Sequence, residues 1–180
     1  MLPITIPYCE LWDEINETFV IIKEQTLQLE HSLVSISKWE SKWRKPFLTN
    51  TEKTYEETID YIRCMTITQN VDPHVYLALT QENFVQINNY IGSPMTATWF
   101  KEDKKPKSNN KVITNELIYY WMITLQIPLE CQKWHLNRLL TLIRVCNEEN
   151  QPPKKMSKRD IMSRNAALNA ARKKKLNSKG

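Results

Sequence analysis

The chain has 180 residues, 25 of them basic and 20 acidic, with a hydrophobic share of 41% and only two glycines, Gly92 and Gly180. Average usage would supply about thirteen glycines, so no Gly-rich loop is available to cradle a phosphate or a dinucleotide, and an all-β sandwich built on tight turns is disfavoured. The charge is split along the chain: from Lys154 to Gly180, ten basic residues and one acid give +9, whereas the other fifteen basic and nineteen acidic residues give −4.

In chain order, Leu2 to Pro7 alternates between two bracketing prolines and reads as a short edge strand. Thr18–Lys23 is β-branched and aromatic, and Thr26–His31 alternates with Leu27 and Leu29 on one face, so the two runs are expected to pair as a hairpin across Glu24-Gln25. From Ser32 the apolar period lengthens, and Leu33, Ile36, Trp39 and Trp43 mark a helix running towards Pro46. Thr54 with Glu57 is a capping-box pattern opening a helix through Ile59, Ile62, Cys64 and Met65. Asp72-Pro73 is a second start signal, and Thr80 caps a helix through Phe84, Ile87, Tyr90 and Ile91. Gly92 stands where a left-handed terminating residue belongs, and Met95–Phe100 reads as one more strand. Lys101–Lys111 reads as a loop.

Thr114 is expected to cap a helix over Asn115–Gln126 that is apolar nearly all round, hence buried on most sides. Pro128 opens the next helix, where Leu136, Leu139, Leu140, Ile143 and Cys146 form a stripe; these two helices are the expected centre of the core, with Trp121 and Trp134 inside it. Beyond Gln151-Pro152-Pro153, Ser157 with Asp160 again resembles a cap, and Ile161–Leu176 has only a thin apolar stripe of Ile161, Leu168, Ala171 and Leu176. Such a segment is helical or folds on a partner. The predicted fold class is α+β, mainly α: a helical domain over residues 1–150 with a small N-terminal β patch, then a Pro-linked basic arm over 151–180.

Nucleophile, metalloprotease and calcium-loop motifs do not occur. Cys9, Cys64, Cys131 and Cys146 form no CxxC pair and read as buried free thiols of a reducing cytoplasm. His135 follows Cys131 by four residues and would share a helix face with it, but spacing places no third ligand, so neither a metal nor a cofactor is implied. Glu56, Glu57 and Asp60 read as a solvated helix face. No segment reads as a signal peptide, and the longest apolar stretch, Leu117–Leu129, falls short of a bilayer span of about 20 residues. A soluble intracellular protein is the expectation.

Two candidate binding surfaces remain. Trp39, Lys42, Trp43 and Arg44, with Lys38 and Lys45 interleaved, are either an aromatic-basic platform for a partner or core rings edged by lysines. The arm, through Lys154, Lys155, Lys158, Arg159, Arg164, Arg172, Lys173, Lys174 and Lys175, is a solvated tail, a dock for an acidic protein or a contact to nucleic acid.

The segments LEHSLVSISKWESKW (Leu29–Trp43), KWHLNRLL (Lys133–Leu140) and RNAALNAARKK (Arg164–Lys174) resemble a family of small proteins of tailed bacteriophages and prophages of Gram-positive bacteria. Its members are tail assembly chaperones encoded beside the tape-measure gene, or uncharacterised. The resemblance implies a non-enzymatic protein of the infected host's cytoplasm with a tape-measure or tail-tube protein as partner, and it brings no catalytic residue. Two alternatives stand beside it: a phage-encoded binder of nucleic acid or of a host defence nucleoprotein, and a structural component of the virion. An enzyme with a site assembled from distant residues is the third.

Overall fold

The computed structural model describes residues 1–13, 17–49, 52–100, 112–150 and 158–177. The chain divides into two compact units, Met1–Glu148 and Glu149–Gly180, and the fold is α+β, mainly α.

The N-terminal β structure differs from the expected hairpin. β1 (Leu2–Ile6) pairs antiparallel with β4 (Gln25–Leu29), and β2 (Cys9–Asp13) pairs antiparallel with β3 (Thr18–Ile22). Paired residue numbers sum to 31 in both ladders, from Leu2 opposite Leu29 to Asp13 opposite Thr18. The two pairs are therefore halves of a single ribbon in one register, interrupted where Pro7 and Tyr8 lie across from Lys23 and Glu24. The runs expected to face each other, 18–23 and 26–31, are consecutive lengths of one side of the ribbon, and β2 was not expected at all. Glu17, with φ 49°, adopts the left-handed conformation just before β3.

On the inner face of the first half, Ile4, Ile6, Leu27 and Leu29 are fully buried. The outer edge of β4 takes the chain leaving α2: Glu30 N–H donates to Met65 O (2.9 Å) and Ile67 N–H to Gln28 O (2.8 Å).

α1 (Leu33–Trp43) starts at Ser32, whose Oγ accepts the Ser35 N–H, and buries Leu33, Ile36 and Trp39. Arg44, at φ 54°, turns the chain out of the helix and donates its N–H to Glu40 O. α2 (Tyr55–Met65) has the expected capping box: Thr54 Oγ1 accepts the Glu57 N–H (3.2 Å) while Glu57 Oε2 accepts the Thr54 N–H (2.9 Å). Replacing Thr54 with alanine removes one half of that exchange. It is expected to lower stability by about 1 kcal/mol in urea denaturation, with Thr54→Ser close to wild type.

Asp72 caps a 3-10 turn, Pro73–Ala78, by accepting the His74 N–H. Thr80 and Asn83 exchange hydrogen bonds to open α3 (Gln81–Gly92). Gly92 is the last residue of that helix and has a negative φ, so it is not the left-handed terminator expected of it. A Cβ at Gly92 would meet nothing within 4 Å, so steric space does not demand glycine there either. Residues 93–100 form no strand, contrary to expectation; Met95, at φ 49°, breaks any extended run.

α4 (Asn115–Thr124) is two residues shorter than predicted, and Thr114 makes no side-chain cap bond. It is not buried all round: Ile118 and Met122 are fully buried, while Tyr120 and Ile123 are exposed and Trp121 is half-buried. A 3-10 turn, Leu129–Lys133, follows Pro128 and leads to α5 (Leu136–Glu149). The core is organised around α1, which packs on α2, on α4 and on the 129–133 turn, rather than around an α4–α5 hairpin. Trp134 is half-buried at its margin.

The second unit carries α6 (Lys158–Leu176), all of whose residues are exposed. Alanine, lysine, arginine and leucine are the best helix formers, and the cations Lys173–Lys175 sit in the last turn, where the helix dipole favours them. The predicted loop 101–111, the 151–153 linker and Ser157 of the predicted cap lie outside the described residues.

Candidate functional site

Of the arm residues picked out as partner-binding, Lys158, Arg159, Arg164, Arg172, Lys173, Lys174 and Lys175 all lie on α6 and all are exposed; Lys154 and Lys155 lie outside the described residues. With Asp160 as the single acid, the helix carries +6. At about 100° per residue the seven cations point round the whole circumference rather than along one stripe. They cluster at the two ends, and the middle, Asn165–Ala171, is uncharged.

The second candidate is split by the fold. Trp39 is 1% exposed; its Nε1–H donates to Glu57 O (2.8 Å), and its ring stacks on Trp43 and lies edge-on to Phe47. It belongs to the core and not to a surface platform. Trp43 is half-buried, with its Nε1–H on Asp60 Oδ2 (2.9 Å), while Lys42 and Arg44 are exposed. Lys42 pairs with Asp60, and Lys45 pairs with Glu57 at 2.5 Å.

Glu57 and Asp60 are buried, not solvated; only Glu56 of the trio faces water. The Lys45 ammonium and then the Thr54 N–H hold the Glu57 carboxyl below the usual carboxylate range. Lys42 and Lys45 are thus already matched by acids of α2. What remains is a shallow groove of about 330 Å3 lined by Trp43, Tyr55, Ile59 and Leu77, with Lys42, Asp60 and Arg63. It is fit for an apolar or aromatic side chain with a polar end.

Two polar clusters inside the body were not seen in the sequence. In the first, Glu40 of α1 is buried and accepts three hydrogen bonds: from Phe47 N–H (2.6 Å), Asn115 N–H (2.8 Å) and Asn115 Nδ2 (2.6 Å). Glu40 lies four after Ile36 and seven after Leu33, on the apolar stripe itself, and that position was the available signal. In the second, the rings of His31 and His135 stack edge-on at 5.0 Å although they are 104 positions apart.

His31 Nδ1 shares a hydrogen bond with Tyr61 Oη. His135 Nδ1 accepts the Asn137 N–H (3.3 Å), so its Nε2 carries the proton and donates to Tyr90 O (3.0 Å). The Tyr90 hydroxyl donates to Glu30 Oε1 (2.6 Å), whose other oxygen meets the N-terminal ammonium at 3.1 Å.

Burial, reinforced by the neighbouring His135, pushes His31 down to about 3, and burial also lowers His135. Burial raises the Tyr61 phenol well above its ordinary value. Both histidines are therefore neutral at pH 7, and this cluster ties β4, α2, α3 and the start of α5 together.

Cys131 lies in the 129–133 turn and His135 after it, so they do not share a helix face as expected. Among the described residues no three His, Cys, Asp or Glu side chains converge as metal ligands, and no buried side-chain polar atom lacks a hydrogen-bond partner. No described helix is long and apolar enough to cross a membrane. No protein-family model, curated protein or solved structure matches the chain.

Proposed function

We propose that this chain is a non-enzymatic phage protein that acts by binding protein in the cytoplasm of the infected bacterial host, as a tail assembly chaperone for the tape-measure protein. The observation that carries the reading is α6: a 19-residue helix with every residue exposed and seven cations, in a chain whose residues 1–153 carry −4. A helix that buries nothing of its own offers charge and the apolar side chains of Ile161, Met162, Leu168 and Leu176 to something else. Acidic stretches of a long helical tape-measure protein, or of a tail-tube subunit, suit that chemistry. The resemblance of Leu29–Trp43, Lys133–Leu140 and Arg164–Lys174 to the phage family supports the same role.

The test is a nuclease-treated pull-down from infected cells with the full chain. A tape-measure or tail-tube protein is expected in the eluate, and the chain is expected to be absent from finished virions. Abundance in purified particles would replace the chaperone with a structural component.

A second reading is favoured by the spread of α6 cations round the whole helix, which suits a phosphate backbone as well as a flat protein surface. Binding to nucleic acid through the seven cations would give a slope of log affinity against log salt of about −6, and deletion of residues 154–180 would abolish it. A slope nearer zero, with the protein partner retained, favours the chaperone.

A further inference from the structure

β3 reads Phe19-Val20-Ile21-Ile22, a continuous apolar run of the kind that strands covered on both faces display. Among the described residues, only one of its faces is covered. Val20 and Ile22 turn inward with Cys9 and Leu11, and β3 packs on the Pro73–Ala78 turn. The opposite face carries Tyr8, Trp12, Phe19 and Ile21, exposed by 57%, 53%, 67% and 58%. Trp12 and Phe19 are cross-strand partners in an edge-on contact at 4.9 Å, and Ile21 lies opposite Glu10. A two-stranded ribbon with an apolar outer face is marginal in water without a covering layer.

We propose that this outer face of β2–β3 is a homodimer interface, in which the same face of a second copy of the chain lies across it. Aromatic side chains cover 150–250 Å2 each when buried, so three at half to two-thirds exposure, with Ile21, offer roughly 400 Å2 per copy. Two copies with their rims approach the ~1,000 Å2 that a specific but weak interface needs.

The charges on the face suit a self-complementary contact. Glu10 of β2 and Lys23, which directly follows β3, are both exposed; Tyr8 Oη donates to Glu10 Oε1 (2.7 Å), and Lys23 makes no ion pair among the described residues. A two-fold axis along the ribbon lays each β2 on the other copy's β3. Glu10 then faces the Ile21–Lys23 segment of the second copy, twice per dimer. Trp12 and Phe19 form the buried centre, where aromatic anchors dominate binding. The dimer is independent of the chaperone reading and of the arm.

Sedimentation velocity on the full, nuclease-treated chain from about 2 to about 200 µM should show a monomer–dimer equilibrium that persists at high salt, because its centre is apolar. Phe19→Lys should raise the dissociation constant at least about tenfold. Glu10→Lys and Lys23→Glu should each weaken the dimer about fivefold, and the double exchange should recover it, which a variant damaged in folding would not do. A wild-type chain that is monomeric throughout overturns the proposal. So does a dimer that is indifferent to Phe19→Lys, or one lost on deleting residues 158–180 but kept in Phe19→Lys. If the chain is monomeric and Phe19→Lys instead releases a co-purifying phage protein, the face belongs to that partner and the dimer is wrong.

Discussion

Replacing Glu40 with alanine is expected to remove about 3–4 kcal/mol of folding stability, a large part of the 5–15 kcal/mol typical of a domain. The carboxylate accepts the Phe47 N–H and both Asn115 donors, and Phe47, Asn115 and Glu40 are all buried. Without it three donors face an apolar interior, each at a cost of about 1–3 kcal/mol, offset in part by the desolvation of a carboxylate that is no longer needed.

The location magnifies the effect. Asn115 is the first residue of α4 and Thr114 provides no side-chain cap, so Glu40 serves as the cap, placing negative charge at the positive end of the helix. It also anchors the chain that leaves α1 through Arg44 to Phe47. Glu40→Gln keeps the volume and one acceptor oxygen but sets an NH2 against the remaining donors; about 2 kcal/mol is expected. Urea midpoints with unchanged slope are the measurement. A Glu40→Ala variant within about 1 kcal/mol of wild type would show that water satisfies those donors.

Where the fold was legible in the sequence, the signal was local. The Thr54, Asp72 and Thr80 caps each act within three residues, and each opens an element as read. The apolar stripe of Leu33, Ile36 and Trp39 is likewise a property of one helix. The errors came where a distant segment decides. Thr18–Ile22 pairs with Cys9–Asp13 and not with its neighbour in sequence, because one register runs through both ladders. Glu57 and Asp60 look solvated on their own helix; they are buried because α1 packs on α2, and Lys45 and Lys42 pair with them there.

The candidate surfaces follow the same rule. The exposure of α6 was legible because its stripe is too thin to bury. The fate of Trp39 was not, since an aromatic flanked by lysines looks the same in sequence whether α2 covers it or water does. The outer face of β2–β3 went unread because β2 itself was missed.

Lowering the pH from 7 to 5 is expected to cost about 2 kcal/mol of stability through His31 alone. The ring is held among Phe47, Tyr61 and His135, and burial, then His135, depresses it from 6.5 to about 3. No counter-charge is at hand in its hydrogen bond, because Tyr61 is itself held neutral far above its usual range. The depressed value sets the sign: well above pH 6.5 neither folded nor unfolded His31 is protonated and stability is intact. Below 6.5 the unfolded chain takes up a proton that the native state refuses until about 3, and each pH unit between costs about 1.4 kcal/mol.

His135 is lowered as well and adds in the same direction. The carboxyls held low, Glu57, Asp72 and Glu116, act in that direction too, but only below their ordinary values near 4, so the interval from 7 to 5 isolates the histidines. His31→Gln removes the titration while leaving a polar side chain for Tyr61. It should be less stable than wild type at pH 7 yet lose about 2 kcal/mol less between pH 7 and 5 in urea melts. If both proteins fall by the same amount over that interval, the pH sensitivity resides elsewhere, and the neutral pair of imidazoles is not what holds β4 to α5 through acid.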